Sequence, residues 1–163
     1  MKEFFAICEG IKDGRYLGKY GKRGVRNHFG MPIISPPVSI HNPPKGTVSY
    51  ALVMEDKDAF PVCGFSFIHW TVCNVTTDSI PEDASRQGNL TQGLNSWFVS
   101  APQKECACYG GMAPPNAPHI YEIHVYAIDK ILELDNGFLY NELYRAMDGH
   151  ILAEYTIKGI YEN

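Results

Sequence analysis

The chain has 163 residues, 45% apolar and 20% charged, with a formal net charge of −4. That length suits one domain with a sizeable core, and the acidic balance excludes bulk attraction to nucleic acid or an anionic membrane surface. Ten tyrosines, eight phenylalanines, 15 glycines and 11 prolines favour a β-rich, loop-rich fold over a helix bundle.

In chain order, residues 3–8 (EFFAIC) predict a first strand. The run is too short for a signal-peptide core, Glu9 ends it, and no later run reaches the roughly 18 apolar residues of a membrane span. Five cysteines, an odd count without an export signal, predict free thiols in a reducing cytoplasm. Cys63 and Cys73 fall in strand-like runs and are expected to pack as small apolar side chains.

Residues 10–31 are glycine-rich and carry Lys12, Arg15, Lys19, Lys22, Arg23 and Arg26 against Asp13 alone. This predicts an exposed, solvated loop; the sharper alternative is a basic flap over an anionic ligand or partner. No phosphate-cradling P-loop pattern occurs there. Residues 35–46 place a short strand, with Val38 and Ile40, between proline clusters.

Residues 47–55 and 65–75 are the clearest strands. Strict alternation in the second puts Phe65, Phe67, His69, Thr71 and Cys73 on one face. Ser66, Ile68, Trp70, Val72 and Asn74 fall on the other. Both faces are largely apolar, which predicts a central strand covered on both sides.

Residues 76–95 and 102–119 read as long polar or Gly/Pro-rich connections, and 120–129 as a strand with Glu122 and His124 inside it. The one convincing helix is 141–149, with Asn141 as N-cap, Gly149 just past the end and a stripe of Leu143, Ala146 and Met147. Residues 151–163 close the chain as a strand. The expected architecture is a mainly β, antiparallel β-sandwich in one domain spanning 1–163, with a short C-terminal helix.

The candidate chemistry lies in two paired spacings. Asp56 and Asp58, two apart in extended chain, point the same way and can share a proton, a cation or hydrogen-bond donors. They lack the third acid, the sixth-position glycine and the distal glutamate of a calcium loop, and as turn formers they need no function. His119 and Tyr121 form the second pair, behind the loop 109–118 (YGGMAPPNAP), whose glycines can leave backbone N–H groups approachable to an anion.

With His69, this inventory suits a small phosphorylated or carboxylated group. Cys106 and Cys108 lack the second Cys/His pair of a zinc site, and His28, His41, His124 and His150 fit no motif. A hydrolase built on Ser66, His69 and Asp56 has no GxSxG elbow, and its serine and histidine fall on opposite strand faces.

The segments YALVMEDKDA (50–59), the following strand with His69-Trp70, and YGGMAPPNAPHIYEIHVYAID (109–129) together resemble the phosphatidylethanolamine-binding proteins, also called Raf kinase inhibitor-like proteins. GMPIISPPVSI (30–40), PPKGTVSYALV (43–53) and RAMDGHILAEYTIKGIY (145–161) resemble the flanks of the prokaryotic branch. The resemblance implies a β-sandwich with Greek-key connections and an anion-binding pocket at one end.

On that resemblance the pocket takes Asp56, Asp58, Phe67, His69, Tyr109, Ala113, Pro114, Pro115, His119 and Tyr121, with no metal or cofactor. The implied function is non-enzymatic binding of a small anionic ligand, including a phospholipid headgroup. Modulation of a kinase or protease, and homodimers, are further expectations. The rivals are a hydrolase in the same pocket and a protein-interaction module whose pocket is vestigial.

Two departures stand out. Ile120 occupies the middle of the His119–Tyr121 triplet, where the family usually has arginine, removing a charge and a bidentate fork. The loop reads Gly111-Met112-Ala113-Pro114-Pro115, one proline fewer than the usual pattern, and is expected to be less rigid.

Overall fold

The computed structural model describes residues 2–163. β1 (Phe5–Ile7), the two-residue strands β2 (Ile11–Lys12) and β3 (Arg15–Tyr16), and β4 (Val38–His41) lead into β5 (Ser49–Asp56). A 3₁₀ turn, Lys57–Ala59, and a one-turn helix, α1 (Phe60–Cys63), connect β5 to β6 (Phe67–Val75). Then come β7 (Ser79–Ile80), α2 (Ala84–Gln87), β8 (Thr91–Gln92), β9 (His119–Ile128), α3 (Tyr140–Met147) and β10 (Ile151–Tyr161).

The strands form two sheets. β1-β4-β7 is antiparallel, and the large sheet runs β2-β3-β10-β9-β5-β6-β8. The large sheet is mixed rather than purely antiparallel, because β10 meets β3 in parallel, Ile160 beside Arg15. One face of it shares a core with the small sheet: Leu52, Met54, Trp70, Val72, Ile123 and Val125 meet Ala6, Val38, Ile40 and Ile80. On the other face Ala51, Val53, Cys73 and Ile128 lie under Leu132, Phe138, Leu143 and Met147. β5 and β6 are therefore covered on both sides.

β6 does not alternate as its sequence suggests. Met54 pairs with Trp70 but Glu55 pairs with Ile68, so His69 is an extra residue, a β-bulge. A second irregularity, where Tyr50 pairs with Val75 and Leu52 with Val72, spans Asn74, whose φ is +59°. Each shift reverses the alternation. Trp70, Val72 and Val75 share one core although their numbers predict two faces, and Phe67 and His69 turn to the side that Asp56 and Tyr121 occupy.

The long connections are not simply surface. Among 76–95, Ile80, Asp83, Ala84, Ser85, Gln92, Leu94 and Asn95 are buried. Gln92 Oε1 accepts from Trp70 Nε1 at 2.7 Å and from Ser85 Oγ at 2.7 Å, and Ser85 Oγ accepts from the Tyr109 N–H at 2.7 Å. This network anchors the loop 109–115 to β6. The basic segment 10–31 is likewise built in: Tyr16, Tyr20 and Met31 are buried, and Lys22 Nζ donates to Pro114 O at 2.8 Å.

Two local expectations are corrected and one holds. Cys63 lies in α1 and is exposed, because the chain leaves the strand at Asp56; all five thiols are free, with Cys73 buried as expected. Leu139, not Asn141, caps α3, its N–H given to the Glu142 carboxylate at 2.7 Å. Gly149 takes φ +75° just past the helix, where glycine avoids the Cβ penalty.

Replacing Gln92 by leucine leaves the buried Trp70 N–H and Ser85 hydroxyl without their acceptor, at roughly 1–3 kcal/mol for each orphaned group. Denaturant unfolding of Gln92→Leu should show a loss of that order with a native far-UV spectrum. A neutral result would mean the network does not anchor the loop.

Candidate ligand-binding site

β5, β6 and β9 end together. Asp56 pairs with Phe67 on one side and Tyr121 on the other, so the last residue of β5 sits between the first of β6 and the third of β9. The bulge adds His69, and His119 opens β9. Their side chains line a cavity of about 180 Å3. Trp97 and Ala113-Pro114-Pro115 form further wall, and Ala59, Val62, Cys63 and Ser100 complete it. Phe67 and Trp97 meet edge to face, with ring centroids 6.1 Å apart.

The polar groups are arranged around Asp56, which is 3% exposed. Its Oδ2 accepts from His119 Nδ1 at 2.7 Å. Its Oδ1 is buried and has no hydrogen-bond partner among the described residues. His119 Nε2 lies 2.8 Å from the Asn116 side-chain oxygen. His69 Nδ1 donates to Gly110 O at 2.6 Å, which leaves Nε2 with a lone pair in the neutral ring.

Burial pushes the His69 pKa below its usual value, against the opposing pull of the Gly110 carbonyl and the Asp56 charge. The Tyr121 phenol is raised well above its ordinary value, first by burial and then by the Asp56 carboxylate.

Of the expected site residues, Asp56, Phe67, His69, Ala113, Pro114, Pro115, His119 and Tyr121 line the one cavity. Two stand elsewhere. Asp58 has left the strand for the 3₁₀ turn, is exposed, and accepts the Ile120 N–H at 2.8 Å, tying the turn to β9. Tyr109 is wholly buried; it packs edge to face on Trp70 and donates its hydroxyl to Tyr20 O at 2.6 Å.

The glycine amides expected to meet an anion are spent internally, Gly110 N–H on His69 O and Gly111 N–H on Pro32 O. Ile120 points away from the cavity and is 47% exposed, so the change from arginine alters the outer face of β9. Sequence reasoning missed Trp97, Cys63, Ala59, Val62 and Ser100. Only the helical signal in Phe60-Pro61, a proline in a first turn, could have pointed to α1 as a wall.

On the opposite face of the same strand ends, Glu55, Glu122 and His124 bring ligand-type atoms within 4.8 Å of one another. Lys57 Nζ meets Glu122 at 2.5 Å and Glu55 at 3.5 Å, and Lys158 Nζ meets Glu122 at 3.2 Å. Two ammonium groups thus already balance the two carboxylates. The His124 hydrogen bond chiefly brings the Glu55 pKa down to about 2.

The family described as phosphatidylethanolamine-binding protein matches the chain over residues 9–162. The Bacillus subtilis protein YxkA is 43% identical over 137 residues, 79% of this chain and 82% of that one. A UPF0098 protein of Chlamydia trachomatis is 35% identical over 133 residues, 79% of this chain and 83% of its own.

Among solved structures, the Chlamydia trachomatis homologue CT736 aligns with a TM-score of 0.81 at 32% identity, covering 98% of this chain and 97% of that one. Escherichia coli YbcL aligns at 0.79 with 26% identity, covering 99% of each. The chain belongs to the phosphatidylethanolamine-binding protein family.

His69 is driven toward its neutral form on folding, so below its ordinary pKa of 6.5 the unfolded chain binds more protons than the folded one. Stability contributed by this group is complete above that pH and falls on acidification. Glu55 acts in the same direction lower down, losing its contribution as pH falls from 4.5 toward about 2. Denaturation midpoints measured across this span should decline with acidity, and His69→Asn should flatten the limb just below pH 6.5. An unchanged limb in that variant would show that His69 is not the group responsible.

Proposed function

We propose that this chain is a non-enzymatic binding protein that takes a small anionic group, phosphate-bearing or carboxylate, as in a phospholipid headgroup. The group sits in the cavity at the ends of β5, β6 and β9. The observation that carries the reading is the convergence of Asp56, His69 and His119, from three strands, on that cavity. At about 180 Å3 the cavity falls below the roughly 300–1,000 Å3 of drug-sized sites, which suits a headgroup rather than a whole lipid. Family membership supports ligand binding in general.

Several contacts favour binding over turnover. Ser66 Oγ donates to Glu55 at 2.7 Å, away from His69. The Cys63 thiol is directed to the carbonyls of Ala59 and Phe65, and His69 Nδ1 is held by Gly110. Among the described residues no hydroxyl or thiol lining the cavity is therefore paired with a ring nitrogen. Exposed Phe60, Val62, Phe98 and Val99 give apolar area beside the pocket residues, where a kinase or protease partner would dock. Among the described residues no helix is long and apolar enough to cross a membrane.

Titration with inorganic phosphate, followed by NMR, should shift the ring signals of His69 and His119 saturably while those of His41 and His150 stay still. Silence from both pocket rings would overturn the anion reading. Turnover in an esterase and phosphatase panel that disappears in His69→Ala would overturn the non-enzymatic one.

A further inference from the structure

The large sheet is closed at one end and open at the other. Beside β8 the chain at 136–138 adds its own hydrogen bonds, Gly137 N–H to Gln92 O and Leu94 N–H to Phe138 O, both at 2.8 Å. At the other end β10 meets β3 only where Ile160 lies beside Arg15. Ile160 gives its N–H to Gly14 O at 2.9 Å, so its backbone groups point away from β9. β10 is regular from Ala153 to Tyr161, and in a regular strand alternate residues point the same way. The N–H and C=O groups of Glu154, Thr156 and Lys158 are therefore directed outward too. Among the described residues none of these groups has a hydrogen-bond partner, and all three residues are exposed.

An unpaired edge of this kind is a template for another strand. We propose that a second copy of this chain fills it, β10 pairing antiparallel with β10 about a two-fold axis at Thr156. In that register Thr156 faces the second copy's Thr156, and Glu154 faces Lys158 on both sides of the axis. Each facing pair exchanges two N–H···O bonds, so every outward group of the three residues is used.

The charges select this register. Moving the axis to residue 155 or 157 sets Glu154 or Lys158 opposite threonine, and moving it to 154 or 158 sets like charges face to face. Glu154 has no ion-pair partner in its own chain among the described residues. Lys158 meets Glu122 at 3.2 Å, and its side chain is 64% exposed, which leaves ammonium hydrogens free for a second carboxylate. On the other side of the strand Tyr155, 37% exposed, comes beside the second copy's Ile157. The ends fit as well. The Gly14 carbonyl stops the free edge at Ile160, and the irregularity between Ile151 and Ala153 bends the strand at its start. The two-fold axis brings the bent start of one copy to the Gly14 turn of the other. None of the residues in this edge lines the cavity, so the surface is independent of the anion-binding reading.

The test is sedimentation velocity of the full chain over a concentration series reaching millimolar, with NMR hydrogen exchange of the β10 amides. The wild type should pass from monomer to dimer as concentration rises, and the amides of Glu154, Thr156 and Lys158 should become protected with it. Glu154→Lys breaks no ion pair within the chain. It sets lysine against lysine on both sides of the axis and should weaken the dimer by about tenfold or more. Lys158→Glu should do the same with glutamates. An equimolar mixture of the two variants restores both opposite-charge pairs and should dimerise as the wild type does.

Thr156→Pro removes an outward N–H that the fold does not use and should abolish the dimer. A wild type that stays monomeric across the series, with the three amides exchanging freely, overturns the inference. So does a dimer that Glu154→Lys leaves unchanged, or one in which the three amides stay unprotected. Phosphate titration of Glu154→Lys should match the wild type, so failure of this interface leaves the pocket reading standing.

Discussion

The extra residue in β6 is the constraint on which the site depends. In a regular strand Phe67 and His69 would share a side with Cys73, toward α3, and Trp70 would face them from behind. The bulge at His69 lets Trp70 enter the core between the sheets while His69 and Phe67 turn toward Asp56 and Tyr121 on the same side. A bulge costs ladder pairing and leaves a residue to be satisfied otherwise. Here Gly110 supplies both ends of that satisfaction: its N–H goes to His69 O and its carbonyl takes the ring Nδ1–H. The irregular strand and the loop 109–115 therefore specify each other.

The loop in turn depends on groups far from the cavity. Ser85 and Gln92 fix Tyr109, the Tyr109 hydroxyl fixes the carbonyl of Tyr20, and Lys22 reaches Pro114. Close packing enforces the path, since a Cβ on Gly111 would stand 2.5 Å from Tyr20 O and 2.6 Å from the Pro32 side chain. The one-proline deficit in the loop is thus set against tethers from residues 10–31, from residues 76–95 and from β6. The basic region 10–31 contributes as a brace on the pocket wall through Lys22.

Much of this was legible in the sequence, and the failures have physical causes. His119 and Tyr121 could be picked out because period-two spacing holds along the regular strand β9, whereas Asp56 and His69 could be picked out by residue type and by the family resemblance. Asp58 was misplaced because that rule stops where the strand stops, and Asp56 is the last residue of β5. Tyr109 was placed in the pocket with the rest of its loop, but its phenol is buried in the core, where its hydroxyl finds the carbonyl of Tyr20. Residues 76–95 looked solvated because Ser85, Gln92 and Asn95 are polar. Their hydrogen bonds form with one another and with Trp70, Tyr109 and Cys108, partners that local composition cannot reveal. The bulge left no local signal, since His69 and Trp70 suit either face of a covered strand.

The sheet also shows why function is better sought on one face than on the other. At the same strand ends, one face carries Glu55, Glu122 and His124 with Lys57 and Lys158, and the other carries Asp56 with His69, His119 and Tyr121. The first set is closed: the two carboxylates have two ammonium partners, and Thr156 and Ser66 hold the outer atoms of His124 and Glu55. Nothing there calls for a further charge. The second set faces a cavity: Asp56 is buried between His119 and the Tyr121 hydroxyl, and His69 is held through Nδ1 by Gly110. A cavity lined by Asp56, His69 and His119, beside a face whose charges already pair with one another, is where the proposed ligand would sit.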